Sequence, residues 1–159
     1  MSSRLFQHIR EERGLAYSVF SNLSTYSDAG MISIYAGCAA DKVDEVVSLS
    51  LAELYSLRTT PVPADELRRA KDHLKGSVML GLENTSSRMS HLARQEMVFG
   101  RHLTFDEILA NIEAVSAEDV QRVAQDLFHD DRMVASVVGP DRGGRLTTDA
   151  LRMGGGASA

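Results

Sequence analysis

The chain has 159 residues, 43% of them hydrophobic and 25% charged, and its formal net charge is −5 at pH 7. This composition is typical of one globular domain, large enough to bury a core without a disulfide or a structural metal. Phosphate backbones are bound by clustered Lys and Arg, and a membrane helix needs ~20 apolar residues, so neither nucleic acid nor a membrane is an expected partner.

The single cysteine, Cys38, lies in an apolar alternating run and has no partner thiol. No signal-peptide pattern precedes it, so a reducing compartment is the default expectation. We therefore predict a cytoplasmic protein. A buried apolar cysteine is normally inert, and no motif surrounds the nearby serines, so covalent catalysis is not supported.

The first predicted element is a helix over about residues 3–13. Ser2 and Ser3 can cap its start, and Gly14 can supply the left-handed residue that ends it. Polar and apolar residues then alternate over 16–23 and 31–38, which predicts a β-hairpin.

Apolar residues at helical spacing predict several further helices along the chain. Asp41 suits the N-cap of the first, and Ser116 with Asp119 resembles a capping box at the start of the last. The predicted ranges are about 41–58, 65–82, 87–99, 105–114 and a helix beginning at 116.

Residues 133–138 form a compact β-branched run that predicts a final, centrally paired strand. The glycine-rich segment after Pro140 offers few apolar groups, so we predict a partial domain over 1–140 and a flexible tail over 141–159. The predicted class is α+β, an antiparallel-rich sheet covered by helices. Three strands are few for so many helices, which suggests missing segments at the amino end.

Residues 1–19, M-S-S-R-L-F-Q-H-I-R-E-E-R-G-L-A-Y-S-V, closely resemble a helix-to-strand signature of a zinc metallopeptidase family. That family includes pitrilysin, insulinase and the mitochondrial processing peptidases, and the signature belongs to its carboxy-terminal, non-metal domain. The resemblance extends over about residues 1–140 through Tyr26–Gly30, Ile34–Gly37, Glu66–Lys71, Ser87-Arg88, Val115–Val120 and Val137–Pro140. The family domain normally begins with a strand and a helix ahead of this signature, so the resemblance implies amino-terminal truncation.

The resemblance implies an α/β domain that faces a related domain across a chamber. The related domain carries zinc on an inverted His-x-x-Glu-His helix, and the second domain contributes an Arg and a Tyr seven residues apart. These match Arg10 and Tyr17, which the resemblance makes catalytic residues that position and polarise the substrate. A guanidinium donates up to five hydrogen bonds and a phenol one, so both can hold a peptide carbonyl or a developing oxyanion.

Without the resemblance, Arg10 would be read as a solvated residue of a charged helix end, and Tyr17 as one aromatic residue of a strand. The segment from His8 to Glu12 comes within one residue of the inverted zinc motif, with Glu12 where the second His should stand. We predict no metal ligands in this chain. Zinc would belong to the full-length enzyme or to a partner.

The resulting hypothesis is the substrate-binding half of a zinc-dependent endopeptidase that hydrolyses peptide bonds and is inactive alone. Its partners would be a peptide substrate and a zinc-bearing amino-terminal domain or partner subunit. One alternative is a catalytically silent scaffold or partner subunit of a processing-peptidase-like assembly, against which the presence of Arg10 and Tyr17 argues. Another is a homodimer that covers an exposed sheet edge.

Overall fold

The computed structural model describes residues 3–140 and 146–153. Over these residues the chain forms a two-stranded antiparallel sheet and helices, which confirms the predicted α+β class. A π-helix, Phe6–Glu11, comes first. The strands are β1 (Ala16–Thr25) and β2 (Gly30–Cys38), and the α-helices are α1 (Val43–Thr59), α2 (Ala64–Gly81), α3 (Thr85–Phe99), α4 (Phe105–Ala114) and α5 (Ala117–Leu127). Short 3₁₀ turns cover Ala40–Lys42, Asp130–Arg132 and Thr148–Leu151.

The described chain divides into two compact units. Unit 1 contains the residues up to Thr60 together with those from Arg122 onward, and unit 2 contains Pro61–Gln121. Unit 1 carries the hairpin and the π-helix, and is therefore the unit that holds the predicted site. The division into a domain of residues 1–140 and a tail of 141–159 stays a prediction.

The core of unit 1 lies between the π-helix, the hairpin and α1. Its buried members are Ile9, Leu15, Ala16, Val19 and Val46, and Ile9 is fully enclosed. Burying a side chain of this size contributes roughly 1.5–3 kcal/mol. This cluster therefore fixes the position of the π-helix against the hairpin.

The turn after the π-helix follows the prediction at Gly14. Its φ of +61° is left-handed, a region that glycine enters without a Cβ penalty. The N–H of Gly14 donates to the carbonyl of Arg10 at 3.1 Å, and that of Leu15 to the carbonyl of Ile9 at 2.9 Å. Both bonds reach one residue further back along the chain than those of a Schellman motif, as the wider π-turn requires, and Leu15 packs beside Ile9 in the core.

Residues at three further helix ends bear on the predicted boundaries. Ser116 Oγ accepts from the N–H of Asp119 at 3.1 Å, and Asp119 Oδ2 accepts from the N–H of Ser116 at 3.1 Å, so the capping box forms. Helix α3 ends at Phe99, as the predicted range of 87–99 has it, and Gly100 follows with a left-handed φ of +64°. The prediction of Asp41 as an N-cap is wrong, because a 3₁₀ turn of Ala40–Lys42 precedes α1 and moves the helix start to Val43.

Unit 2 is held together by polar contacts as well as by apolar ones. Lys71 Nζ donates to the backbone carbonyl of Glu113 at 2.7 Å, and Lys75 Nζ contacts the carboxylate of the same residue, which joins α2 to α4. Gln95 of α3 is buried and accepts from the N–H of Leu103 at 3.0 Å, just before α4. These side chains set the relative position of the helices within the unit.

The predicted final strand over 133–138 is wrong. Residues 133–138 belong to neither strand, and Val134 and Val138 are 92% and 97% exposed. A β-branched run becomes a strand only where a neighbour supplies ladder hydrogen bonds, and β1 and β2 pair with each other. In the part of the chain that the structure describes, no ladder partner lies beside this run.

Within the predicted tail, residues 146–153 are described, and they contact other parts of unit 1. Met153 is buried and its N–H donates to Asp130 Oδ1 at 2.9 Å, while the Thr148–Leu151 turn packs against α1. Residues 141–145 and 154–159 lie outside the described residues, so the predicted flexibility stays a prediction there.

Candidate functional site

Arg10 lies on a π-helical turn rather than on a regular α-helix. The N–H of Glu12 donates to the carbonyl of Gln7 at 2.9 Å, the five-residue spacing of a π-turn. Ile9 is fully buried, whereas the neighbouring side chain of Arg10 stays 40% exposed. Single π-turns occur frequently at functional sites, and this one turns the guanidinium away from the core.

Tyr17 is the extra residue of a β-bulge. Ala16 pairs with Cys38 and Ser18 pairs with Gly37, so Tyr17 has no partner of its own on β2. The bulge shifts the alternation of the strand, which lets Ala16 and Val19 both enter the core and leaves Tyr17 87% exposed. Bulges of this kind redirect a side chain next to active sites, and here the phenol projects from the outer face of the hairpin.

The structure brings the two sequence-predicted residues together. The guanidinium carbon of Arg10 lies 5.8 Å from the ring centre of Tyr17. A guanidinium within about 6 Å of an aromatic ring is attracted by the ring's negative face, by roughly 0.5–1 kcal/mol at exposed sites. Arg10 and Tyr17 therefore face the same region across the Gly14 turn.

Phe6 is the third member of this group, and sequence reasoning missed it. Its ring centre lies 4.9 Å from the guanidinium carbon of Arg10. The available signal was the spacing of four residues between Phe6 and Arg10, which places two side chains on one helix face. Phe6 also packs against the buried core, so it anchors one side of the guanidinium.

Among the residues that the structure describes, few partners take up the hydrogen-bond donors of Arg10. Its Nε lies 4.0 Å from Glu11 Oε1, and both side chains are substantially exposed. An exposed ion pair at that distance contributes little, because water screens both charges. The guanidinium is thus held by aromatic rings and keeps donors for an external acceptor.

An open cavity of about 590 Å³ adjoins Tyr17. It lies at the junction of the Gly14 turn, the bulge and the end of β2. Its lining residues are Gly14, Leu15, Tyr17, Ser18, Tyr35, Gly37, Cys38, Ala39, Asp41 and Lys42.

His8, from the near match to a zinc motif, has a structural partner. Its Nδ1 lies 2.5 Å from Glu53 Oε1 on α1, and Arg4 donates to Ser56 Oγ of the same helix at 3.2 Å. Among residues 3–140 and 146–153, no three His, Cys, Asp or Glu side chains are grouped so that they could hold a metal ion. The described residues therefore do not fit a zinc site.

Comparison with known proteins identifies a family model and several relatives that match this chain. The family model described as the peptidase M16 inactive domain matches residues 1–74. The "Uncharacterized zinc protease YmxG" of Bacillus subtilis is 42% identical over 137 residues, which are 86% of this chain and 34% of that protein. An uncharacterized zinc protease of Streptomyces coelicolor is 41% identical over 140 residues, which are 88% of this chain and 30% of that protein.

A chain of the solved structure "Complex III2 from Candida albicans, Inz-5 bound" has the same fold. It aligns with a TM-score of 0.70 at 24% identity, over 79% of this chain and 30% of that one.

These similarities define the class of the protein. The chain belongs to the M16 peptidase family, and its residues 1–74 match the family model that is described as the inactive domain. It spans about a third of the length of the curated relatives that it matches. None of the helices in the described ranges has the length and apolar character needed to cross a bilayer.

Proposed function

We propose that this chain is the substrate-binding half of a zinc-dependent endopeptidase, in which the zinc site belongs to an amino-terminal domain or a partner chain. The observation that carries the proposal is the distance of 5.8 Å between the guanidinium carbon of Arg10 and the ring of Tyr17, which itself lines an open cavity. The relatives are named uncharacterized zinc proteases, and these names support zinc-dependent hydrolysis of peptide bonds as the reaction.

The proposed role follows from the donors that the two side chains offer. The guanidinium of Arg10 and the hydroxyl of Tyr17 donate hydrogen bonds to the carbonyl oxygen of the peptide bond to be cleaved, and more strongly to the oxyanion into which it develops. The rings of Phe6 and Tyr17 both contact the guanidinium, so little reorganisation is needed when the substrate arrives. Arg10 and Tyr17 thus position and polarise the substrate.

We place the metal outside this chain, because no three candidate ligands are grouped among the described residues, and we expect the chain alone to be inactive. Hydrolysis would require the zinc-bearing half, either in the same longer polypeptide or in a partner subunit. That requirement agrees with the relatives' length, of which this chain spans about a third.

The test is a chimera in which this chain replaces the matching segment of the B. subtilis relative, assayed with a peptide that the relative itself cleaves. Arg10→Ala and Tyr17→Phe should each lower kcat/KM by about 10²-fold or more, the effect of removing one oxyanion donor, with zinc content unchanged. Matched controls are Arg13→Ala and Tyr26→Phe, which alter an exposed arginine and an exposed tyrosine nearby and should leave the rate unchanged.

A second candidate is a catalytically silent partner subunit, which the description of the matching family domain as inactive favours. The same chimera separates the two functions. Wild-type rates in both the Arg10→Ala and Tyr17→Phe variants, or a wild-type chimera that cleaves nothing, would reject the substrate-binding role and favour the silent partner.

A further inference from the structure

A second aromatic pair lies on the outer face of the hairpin, beyond the Arg10 and Tyr17 pair. Phe20 and Tyr35 stand directly opposite each other in the register of β1 and β2. Their ring centres are 5.1 Å apart at an interplanar angle of 27°, and both side chains are more than half exposed. Residues opposite each other in an antiparallel pair project to the same face, and the bulge sends Tyr17 to that face as well.

The phenol of Tyr35 points along its strand toward the bulge. A Cβ atom built on Gly37 would lie 3.7 Å from Tyr35 Oη, so the hydroxyl end of the ring lies over the position that glycine leaves open. Gly37 is itself the partner of Ser18, the residue after Tyr17. Tyr35 therefore reaches the same cavity that Tyr17 lines, while Phe20 packs against its ring.

The charges around this cavity balance. Asp41 and Lys42 are its two charged lining residues, and Lys42 Nζ already lies 3.9 Å from Glu45 Oε2. The large surfaces that the cavity offers are the rings of Tyr17 and Tyr35. A cavity without net charge and with two aromatic walls favours an apolar ring over a charged group.

We infer that Tyr35 is a specificity-determining residue whose ring contacts an aromatic side chain of the peptide substrate, next to the bond held by Arg10 and Tyr17. Phe20 is a positioning residue that keeps the ring of Tyr35 in place. The inference rests on the proposed function and assigns to it a substrate preference. Because Tyr35 and Tyr17 line the same cavity, the substrate residue that Tyr35 contacts is one that adjoins the cleaved bond.

The experiment uses the same chimera with matched peptides that carry Phe or Ala immediately before or immediately after the cleaved bond. At one of these positions, Tyr35→Ala should lower the ratio of kcat/KM for Phe over Ala by roughly two- to tenfold, the loss of one aromatic contact. Tyr35→Phe should preserve the ratio, and Phe20→Ala should lower it by less. Met31→Ala, at the far end of the same face, is the control and should leave it unchanged.

A ratio that Tyr35→Ala leaves unchanged at both positions would overturn the inference, as would an equal loss of rate for the Phe and Ala peptides. If Tyr35→Ala does not fold, Tyr35→Leu gives the same comparison without the ring. The two proposals fail separately. If Tyr35→Ala leaves the Phe-to-Ala ratio of kcat/KM unchanged while Arg10→Ala still abolishes cleavage, only the role of Tyr35 is rejected. Unaltered cleavage by Arg10→Ala rejects the proposed function.

Discussion

Nδ1 of His8 lies 2.5 Å from Oε1 of Glu53, 45 residues further along the chain, and this contact joins the π-helix to α1. Glu53 also lies 3.9 Å from Arg4 through its other carboxylate oxygen, and its side chain is only 17% exposed. One carboxylate on α1 therefore accepts a hydrogen bond from His8 and forms an ion pair with Arg4, both in the segment that carries Arg10. The position of the candidate site depends on this attachment as well as on the apolar core.

Replacing Glu53 should loosen that attachment. Glu53→Ala is expected to lower the free energy of unfolding by roughly 1–3 kcal/mol, because it removes a partly buried carboxylate that accepts from His8 and pairs with the charge of Arg4. Urea unfolding followed by circular dichroism measures the change. Glu11→Ala, which removes an exposed carboxylate on the same segment, is the matched control, and equal midpoints for the two variants would contradict the role of Glu53.

Ile9 tests the apolar part of the same attachment. Ile9→Ala is expected to cost roughly 2–5 kcal/mol, since a fully buried side chain would leave a cavity between the π-helix and the hairpin. Leu80→Ala, at an exposed position of α2, should cost less than about 0.5 kcal/mol. Similar thermal midpoints for the two variants would show that Ile9 is not enclosed.

Gln95 tests the organisation of unit 2. A backbone N–H can only donate, so the Gln95 atom 3.0 Å from the N–H of Leu103 is the amide oxygen, and its Nε2 faces Nε2 of His91 at 2.8 Å. His91 must therefore accept at Nε2 and carry its proton on Nδ1. Gln95→Leu should raise hydrogen exchange at the Leu103 amide and cost roughly 1–3 kcal/mol. Unchanged exchange, or an Nε2–H signal for His91 in ¹⁵N spectra at neutral pH, would contradict this arrangement.

The ion pairs of Glu113 predict a dependence on pH. The hydrogen bond and charge of Lys75 lower the pKa of the Glu113 carboxyl, and the charge of Lys71 adds to the effect. Because the folded pKa lies below the unfolded one, the stabilisation is present above the unfolded value of about 4.5 and is lost as pH falls through the folded value. Lys75→Met should raise the pKa of Glu113 in a carboxyl ¹³C titration, whereas Lys42→Met should leave it unaltered. No movement in Lys75→Met would contradict the pairing.

The parts of the fold that the sequence predicted are those governed by local physics. Gly14 and Gly100 adopt the left-handed conformation that few other residues accept, and Ser116 forms its capping box with Asp119. Each depends on a few neighbouring residues. Helices and hairpin were predictable for the same reason, because their apolar periods are visible over short windows.

The parts that were missed depend on distant segments or on one extra residue. The run over 133–138 has strand composition, but its pairing requires a neighbour that composition does not identify. The bulge at Tyr17 departs from a period of two by one residue, and its only sequence signal is that Ala16 and Val19, three apart, are both apolar. The proximity of Arg10 and Tyr17 was predicted from the family resemblance, whereas the π-turn and the ring of Phe6 that set it were not.

The measurement that tests the account most directly is a double-mutant cycle of Arg10→Ala and Tyr17→Phe in the chimera. Two donors that act on one oxyanion are expected to be non-additive, so the double variant should lose much less in kcat/KM than the product of the two single losses, with zinc content unchanged. Strictly multiplicative losses, or single variants that cleave at the wild-type rate, would contradict a joint role for the two residues.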